Sequence, residues 1–111
     1  QLEEGYRYFW IRAGGDNVGY FAVRGDDRGL FLSKFYIRAA HRGRGIGRQA
    51  LDFVERLARN RGHARIHLTV NKRNPSAAVY ERLGFRVTEL VTTDIGGGFV
   101  MDDFMMEKAL E

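Results

Sequence analysis

The sequence predicts a single α+β domain with a mixed, mostly antiparallel sheet flanked by helices, in the order β-β-β-α-β-α-β-β. Three observations predict it. Residues 6–37 hold three strand-like segments joined by short Gly/Asp turns, the mark of a strand meander. The period then becomes helical over residues 46–58. Two further strand-like segments, separated by a glycine loop, close the chain.

Residues 6–12 alternate aromatic or aliphatic with polar types and read as the first strand. Gly14, Gly15, Asp16 and Asn17 form a turn cluster. A second strand is expected over 18–24. Gly25, Asp26, Asp27, Arg28 and Gly29 then turn the chain into a third, over 30–37, rich in Phe and Tyr. Ile46, Ala50, Phe53, Val54, Leu57 and Ala58 recur at helical spacing, with Arg48, Asp52, Glu55, Arg56 and Arg59 on the opposite face. Asp52/Arg56 and Glu55/Arg59 are i,i+4 pairs in the better order, acid first. Gly62 is expected to end this helix.

Ile66, Leu68 and Val70 alternate as the fourth strand. Asn74 and Pro75 make a helix start, with an N-cap side chain and proline at the first helical position. The second helix is short and stops at Gly84. Strands over 85–93 and 99–108 follow, separated by Asp94, Ile95, Gly96, Gly97 and Gly98.

A chain of 111 residues fits one domain. With 44% hydrophobic and 29% charged residues, its composition is that of a soluble globular protein. No apolar run approaches the ~20 residues that cross a bilayer, and no secretory segment is recognisable. The absence of cysteine excludes disulfides, thiolate nucleophiles and thiolate metal sites, and fits a cytoplasmic setting. Eighteen Lys and Arg against fourteen Asp and Glu give a formal charge of +4. That balance suits an anionic partner, and the guanidinium fork of arginine matches phosphate oxygens well.

The most informative segment is Arg42, Gly43, Arg44, Gly45, Ile46, Gly47 and Arg48, between a strand and the first turn of a helix. Glycines there let backbone N–H groups turn inward toward an anion, and the helix adds its positive N-terminal dipole. A phosphate group is the expected guest. A dinucleotide fingerprint is excluded because Arg48 stands where its third glycine belongs, and the acidic residue expected about twenty positions on is absent around Ala64, Arg65 and Ile66. No Gly-Lys-Ser/Thr is present for a nucleotide P-loop. The turn alone leaves a second reading open, a basic arginine–glycine patch touching RNA.

On these residues the chain resembles the GNAT superfamily of acetyl-CoA-dependent N-acetyltransferases. Arg42, Gly45 and Gly47 match its signature of Arg or Gln, two residues, Gly, one residue, and Gly or Ala. A second block agrees: Asn71, Lys72, Arg73 and Asn74, then Ala77, Tyr80, and Gly84-Phe85 ending the helix. The order of elements also matches the family from its second strand onward. The resemblance implies acetyl-CoA as co-substrate, with no metal. Backbone groups near Phe35, Tyr36 and Ile37 would pair with the pantetheine arm, and the amides of residues 43–48 would hold the pyrophosphate. Asn74 resembles the asparagine that hydrogen-bonds the cofactor, and Asn71 opens the same block. Tyr80 resembles the tyrosine that protonates the departing thiolate. The amine would attack directly, without a covalent enzyme intermediate.

The sequence departs from the family in three places. It opens close to the family's second strand, so the first strand and helices are expected to be missing from the single domain over 1–111. Asn74 and Tyr80 are six residues apart, where many relatives have seven. No Glu lies on the strand over 30–37, so the general base is expected to be a water chain or to lie elsewhere.

His41, His63 and His67 have no carboxylate spacing that suggests a metal site, and His67 reads as half-buried and neutral. Trp10 and the Phe/Tyr-rich strands read as core rather than as a base-stacking sheet. Asp94, Asp102 and Asp103 flank the glycine loop, where acidic side chains would attract an amine or simply be solvated. Two function classes therefore stand. The first is an acetyltransferase acting on a primary amine of a small molecule or peptide, without a nucleic-acid or membrane partner and compatible with a homodimer. The second is a non-catalytic module of the same fold that binds acyl-CoA or RNA.

Overall fold

The computed structural model describes residues 5–111. The elements follow the expected order: β1 (Arg7–Ala13), β2 (Asp16–Asp26), β3 (Gly29–Ile37), α1 (Ile46–Asn60), β4 (Arg65–Asn71), α2 (Ser76–Arg82), β5 (Arg86–Gly96) and β6 (Phe99–Ala109). A single 3-10 turn, Ala39–His41, joins β3 to the glycine turn. The six strands form one sheet in the order β1-β2-β3-β4-β6-β5. Only β3 and β4 pair in parallel; every other pairing is antiparallel. The expectation of a mixed, mostly antiparallel sheet holds.

Both helices cover the same face. The register aligns Phe9 with Phe21 and Phe21 with Phe35, and cross-strand neighbours share a face. On that face Phe53 of α1 packs against Phe9 and Phe21, and Tyr80 of α2 packs against Phe35. Leu51, Val54 and Ala58 of α1 complete a core with Val23, Leu30, Leu32, Ile66, Leu68 and Met106. Removing such apolar surface from water contributes roughly 25 cal/mol per Å².

The opposite face differs from expectation. Trp10, Tyr20 and Tyr36 align there across β1, β2 and β3. Trp10 is 66% exposed and Tyr36 45%, so these two strand aromatics are not core. Alternation divides a strand into two faces, and here the described residues cover only the first with helices.

The helix ends follow from sequence. At Gly62 (φ 80°) the Gly62 N–H donates to Arg59 O and the His63 N–H to Ala58 O, the paired bonds of a left-handed helix stop. Of the two expected i,i+4 pairs Glu55–Arg59 forms, at 3.6 Å, and Asp52–Arg56 does not. A stronger tie involves Lys108, whose Nζ donates to Glu55 Oε2 and to Leu83 O, both at 2.8 Å, joining β6, α1 and the end of α2.

Candidate functional site

The glycine turn ends in a bare helix N-terminus. Gly45 is the N-cap of α1 with left-handed geometry (φ 81°, ψ 2°), where an L side chain is strained. Gly45 offers no side chain to cap the helix, and the first bond into the helix is Gln49 N–H to Gly45 O at 3.1 Å. Among the described residues, the N–H groups of residues 43–48 find no partner. Each is an exposed donor of the kind an anion satisfies. A Cβ at Gly43 or Gly45 would meet nothing within 4 Å, so the space beside both glycines is open.

The three arginines around it are disposed differently from one another. Arg42 folds back: its Nε donates to Ile37 O at 2.8 Å and its guanidinium lies over Tyr36, 5.7 Å from the ring centroid. Arg48 reaches across to α2, donating from Nη2 to Arg82 O at 3.4 Å. Both bonds fill carbonyls at strand or helix ends, Ile37 O at the end of β3 and Arg82 O at the end of α2. Arg44 alone of the three has no hydrogen bond or ion pair with a described residue.

Beside the turn the sheet comes apart. β3 pairs with β2 as far as Ile37, but with β4 only at Leu30↔Ile66 and Phe31↔His67. Beyond residue 31 the edge of β3 that faces β4 carries no ladder, while β4 continues beside β6 to Asn71. The result is a split, joined at one end and parted at the other, whose β3 side includes Phe35, Tyr36 and Ile37. A bulge falls within it: Ala22 pairs with Lys34 and Val23 with Leu32, leaving Ser33 without a partner. The sequence carries one trace of it, the adjacent polar pair Ser33 and Lys34 between Leu32 and Phe35, which breaks a strict alternation.

Tyr80 borders the split. Its ring lies 6.3 Å from that of Phe35 and 5.6 Å from that of Phe85. Burial raises its phenol from an ordinary value near 10 to about 12, so the hydroxyl holds its proton. No described residue hydrogen-bonds the hydroxyl, and it is not sealed in the core. The ring is anchored and the tip is free to donate.

Asn71 and Asn74 sit at the far end of β4. Asn71 Oδ1 accepts from Arg73 N–H at 3.0 Å, and Asn74 Oδ1 accepts from Ser76 N–H at 2.9 Å. Asn74 thus meets the first residue of α2, Ser76, but the helix starts one residue later than expected, with Pro75 at its N-cap rather than at its first position. Both side-chain oxygens are used locally, and their NH₂ groups remain as the donors available to a ligand. A pocket of about 400 Å³, lined by Asn71, Lys72, Arg73, Phe99 and Asp102, adjoins this end. Asp102 lies 3.5 Å from Lys72. The hydrogen bond from Thr92 and the nearby Lys72 charge hold its carboxyl below the ordinary range. Asp94 is occupied as well, accepting from Gly96 N–H.

His67 corrects another expectation. It is buried rather than half-buried, and Nε2 lies 2.9 Å from Asp26 Oδ1. Asp26 also accepts from the N–H groups of Arg28 and Gly29. Burial raises its carboxyl pKa, but the His67 bond and those two amides outweigh this and lower it. An ionised carboxylate only accepts, so His67 Nε2 carries the donated proton. No group of three or more His, Cys, Asp or Glu able to hold a metal occurs among the described residues. No described helix is long and apolar enough to cross a membrane.

Residues 1–85 match the profile of the Acetyltransferase (GNAT) family. An uncharacterised N-acetyltransferase of Mycobacterium tuberculosis (strain ATCC 25618 / H37Rv) is 32% identical over 99 residues, 87% of this chain and 64% of that protein. This chain therefore spans a little under two thirds of that relative. The crystal structure of nourseothricin acetyltransferase superposes with a TM-score of 0.81 at 26% identity, covering 97% of this chain and 67% of that one. The structure of PaiA N-acetyltransferase from Thermoplasma acidophilum, in complex with coenzyme A, shares the fold (TM-score 0.77, 21% identity, 96% and 62% covered).

Proposed function

This chain belongs to the GNAT acetyltransferase family, and on that premise we propose that it moves an acetyl group from acetyl-CoA to a primary amine by direct attack. One observation carries the reading: a helix N-terminus with unpaired amides over residues 43–48 opens beside the unpaired edge of β3. A phosphorylated, extended ligand matches both. Its pyrophosphate would take the amides, and its amide-bearing arm would take the backbone of residues 35–37 by strand-like pairing. The NH₂ groups of Asn71 and Asn74 supply further donors, and the free Arg44 adds charge.

The amine nitrogen forms a bond to the thioester carbonyl carbon, the carbon–sulfur bond breaks, and the thiolate leaves. Tyr80 is the proton donor for that thiolate, and it recovers its proton from solvent. The acceptor attacks as the neutral amine, and the proton its nitrogen carries once the carbon–nitrogen bond has formed passes to water, since no Glu lies on β3. Positioning and polarisation by backbone donors do the remainder. The acceptor is a small-molecule or peptide amine, and the setting is cytoplasmic.

A thiol-reactive dye reports release of free CoA over a panel of amines. Amine-dependent release is the expected result. CoA binding without release from any amine would favour the acyl-CoA-binding module instead, and RNA binding at the turn without CoA binding would favour the RNA module.

A further inference from the structure

The two strands of the split meet at two residue pairs only, and one of them is Phe31↔His67. His67 does more there than pair. Its ring lies 5.0 Å from the Phe31 ring, and its Nε2 donates to Asp26 Oδ1 at 2.9 Å. Asp26 in turn holds the β2–β3 turn through the N–H groups of Arg28 and Gly29. One buried side chain on β4 thereby fastens β3 and the turn that precedes it. On its other side His67 is the register partner of Glu107 in β6, so the β4 side of the joint is held as well.

His67 is too far away for chemistry. Asn71 is four residues further along β4, ~13 Å at ~3.3 Å per residue. What His67 can govern is the spacing of the parted end, because two strands joined at one end open by an amount fixed at the join. A ligand arm lying along the β3 edge needs that spacing held to within about half an ångström.

We infer that the Asp26–His67 pair is a clasp at the closed end of the β3/β4 split, and that His67 is a positioning residue for the acyl-CoA arm. The inference rests on the reading that the arm lies in this split. A split not held in advance costs ordering on binding, and that cost falls on affinity.

Three variants test it, each checked by circular dichroism and assayed well below its melting temperature. His67→Leu keeps a buried side chain but deletes the bond. His67→Gln can return an N–H near the place of Nε2. Asp26→Ser keeps a short oxygen for the turn amides but cannot reach His67. By calorimetry, His67→Leu and Asp26→Ser should weaken CoA binding at least about fivefold, and His67→Gln should restore it to within about twofold of the parent. The KM for acetyl-CoA should rise with little change in kcat. A natively folded His67→Leu that binds CoA like the parent overturns the clasp. If His67→Leu fails to fold, Asp26→Ser decides in its place: CoA binding equal to the parent's overturns the clasp in the same way. Failure of the parent chain to bind CoA would instead overturn the reading of the split itself.

Discussion

The Tyr80 ring stands 6.3 Å from the Phe35 ring, so the one tyrosine of α2 is braced on the strand whose far edge lacks a partner. Side chains from two elements thus set a phenol beside an open stretch of backbone. The glycine turn lies at the end of the same strand. The phenol, the open edge and the glycine turn therefore take their positions from β3, while Asn71 and Asn74 take theirs from β4.

The first consequence concerns the amides of residues 43–48. If they take a pyrophosphate, CoA must stabilise the folded chain. At ~100 times its dissociation constant a ligand contributes about 2.7 kcal/mol, roughly 10 °C in melting temperature for a domain of this size. Thermal scans with CoA should show that rise, and nicotinamide dinucleotides a smaller one. Equal shifts with both would mean the turn recognises any pyrophosphate and the split contributes nothing.

Gly45 gives a sharper test. Its φ of 81° requires glycine, or a residue that tolerates left-handed backbone, and its surroundings are open. Gly45→Val adds a β-branched side chain at a cost of ~1–3 kcal/mol in strain and should abolish CoA binding, while the far-UV spectrum stays native. Gly45→Asn tolerates the geometry better. It should keep the melting temperature yet weaken CoA binding at least about tenfold by filling the approach to the backbone. Calorimetry on the Asn variant decides: binding equal to the parent would show that only the conformation matters.

Most of this architecture is legible in the sequence. The switch from period two to helical spacing at Ile46, and the stops at Gly62 and Gly84, are local signals, so element order and helix ends follow from them. The anion turn is legible for the same reason, since Gly43, Gly45 and Gly47 act through their own backbone. What is not legible is long-range. Asp26 and His67 are 41 residues apart, and no spacing rule joins them. The bonds from Arg42 to Ile37 O and from Arg48 to Arg82 O likewise follow from the folded path and from no local pattern. Trp10 and Tyr36 read as core because alternation does not say which face is covered. The bulge at Ser33 depends on the partner strand's register, and the adjacent polar pair Ser33 and Lys34 is its only local mark in β3.

The buried phenol has a pH signature. Raising its value from near 10 to about 12 makes ionisation costlier in the folded state than in the unfolded chain. The stability this contributes is fully present below pH 10 and is lost as pH rises toward about 12. An ultraviolet titration of the five tyrosines should contain one late step that vanishes in Tyr80→Phe. The melting temperature of the parent should fall relative to that of the variant as pH climbs through that window. A titration with no late step would place the Tyr80 hydroxyl in water.

The same proton decides the chemistry. A thiolate leaving from a thioester benefits from a donor within hydrogen-bond reach, and general acid help is typically worth ~100- to 10,000-fold. A phenol held protonated to about pH 12 is available as that donor across the working range. Tyr80→Phe keeps the contacts with Phe35 and Phe85 and deletes only the hydroxyl, which has no described partner to lose. Folding and CoA affinity should therefore change little. Turnover should fall at least about tenfold, less than the full range because water at the exposed tip substitutes in part. Steady-state rates on any active amine, set beside calorimetric CoA binding, separate the two effects. Unchanged turnover would leave Tyr80 as a brace for Phe35, with the thiolate taking its proton from water.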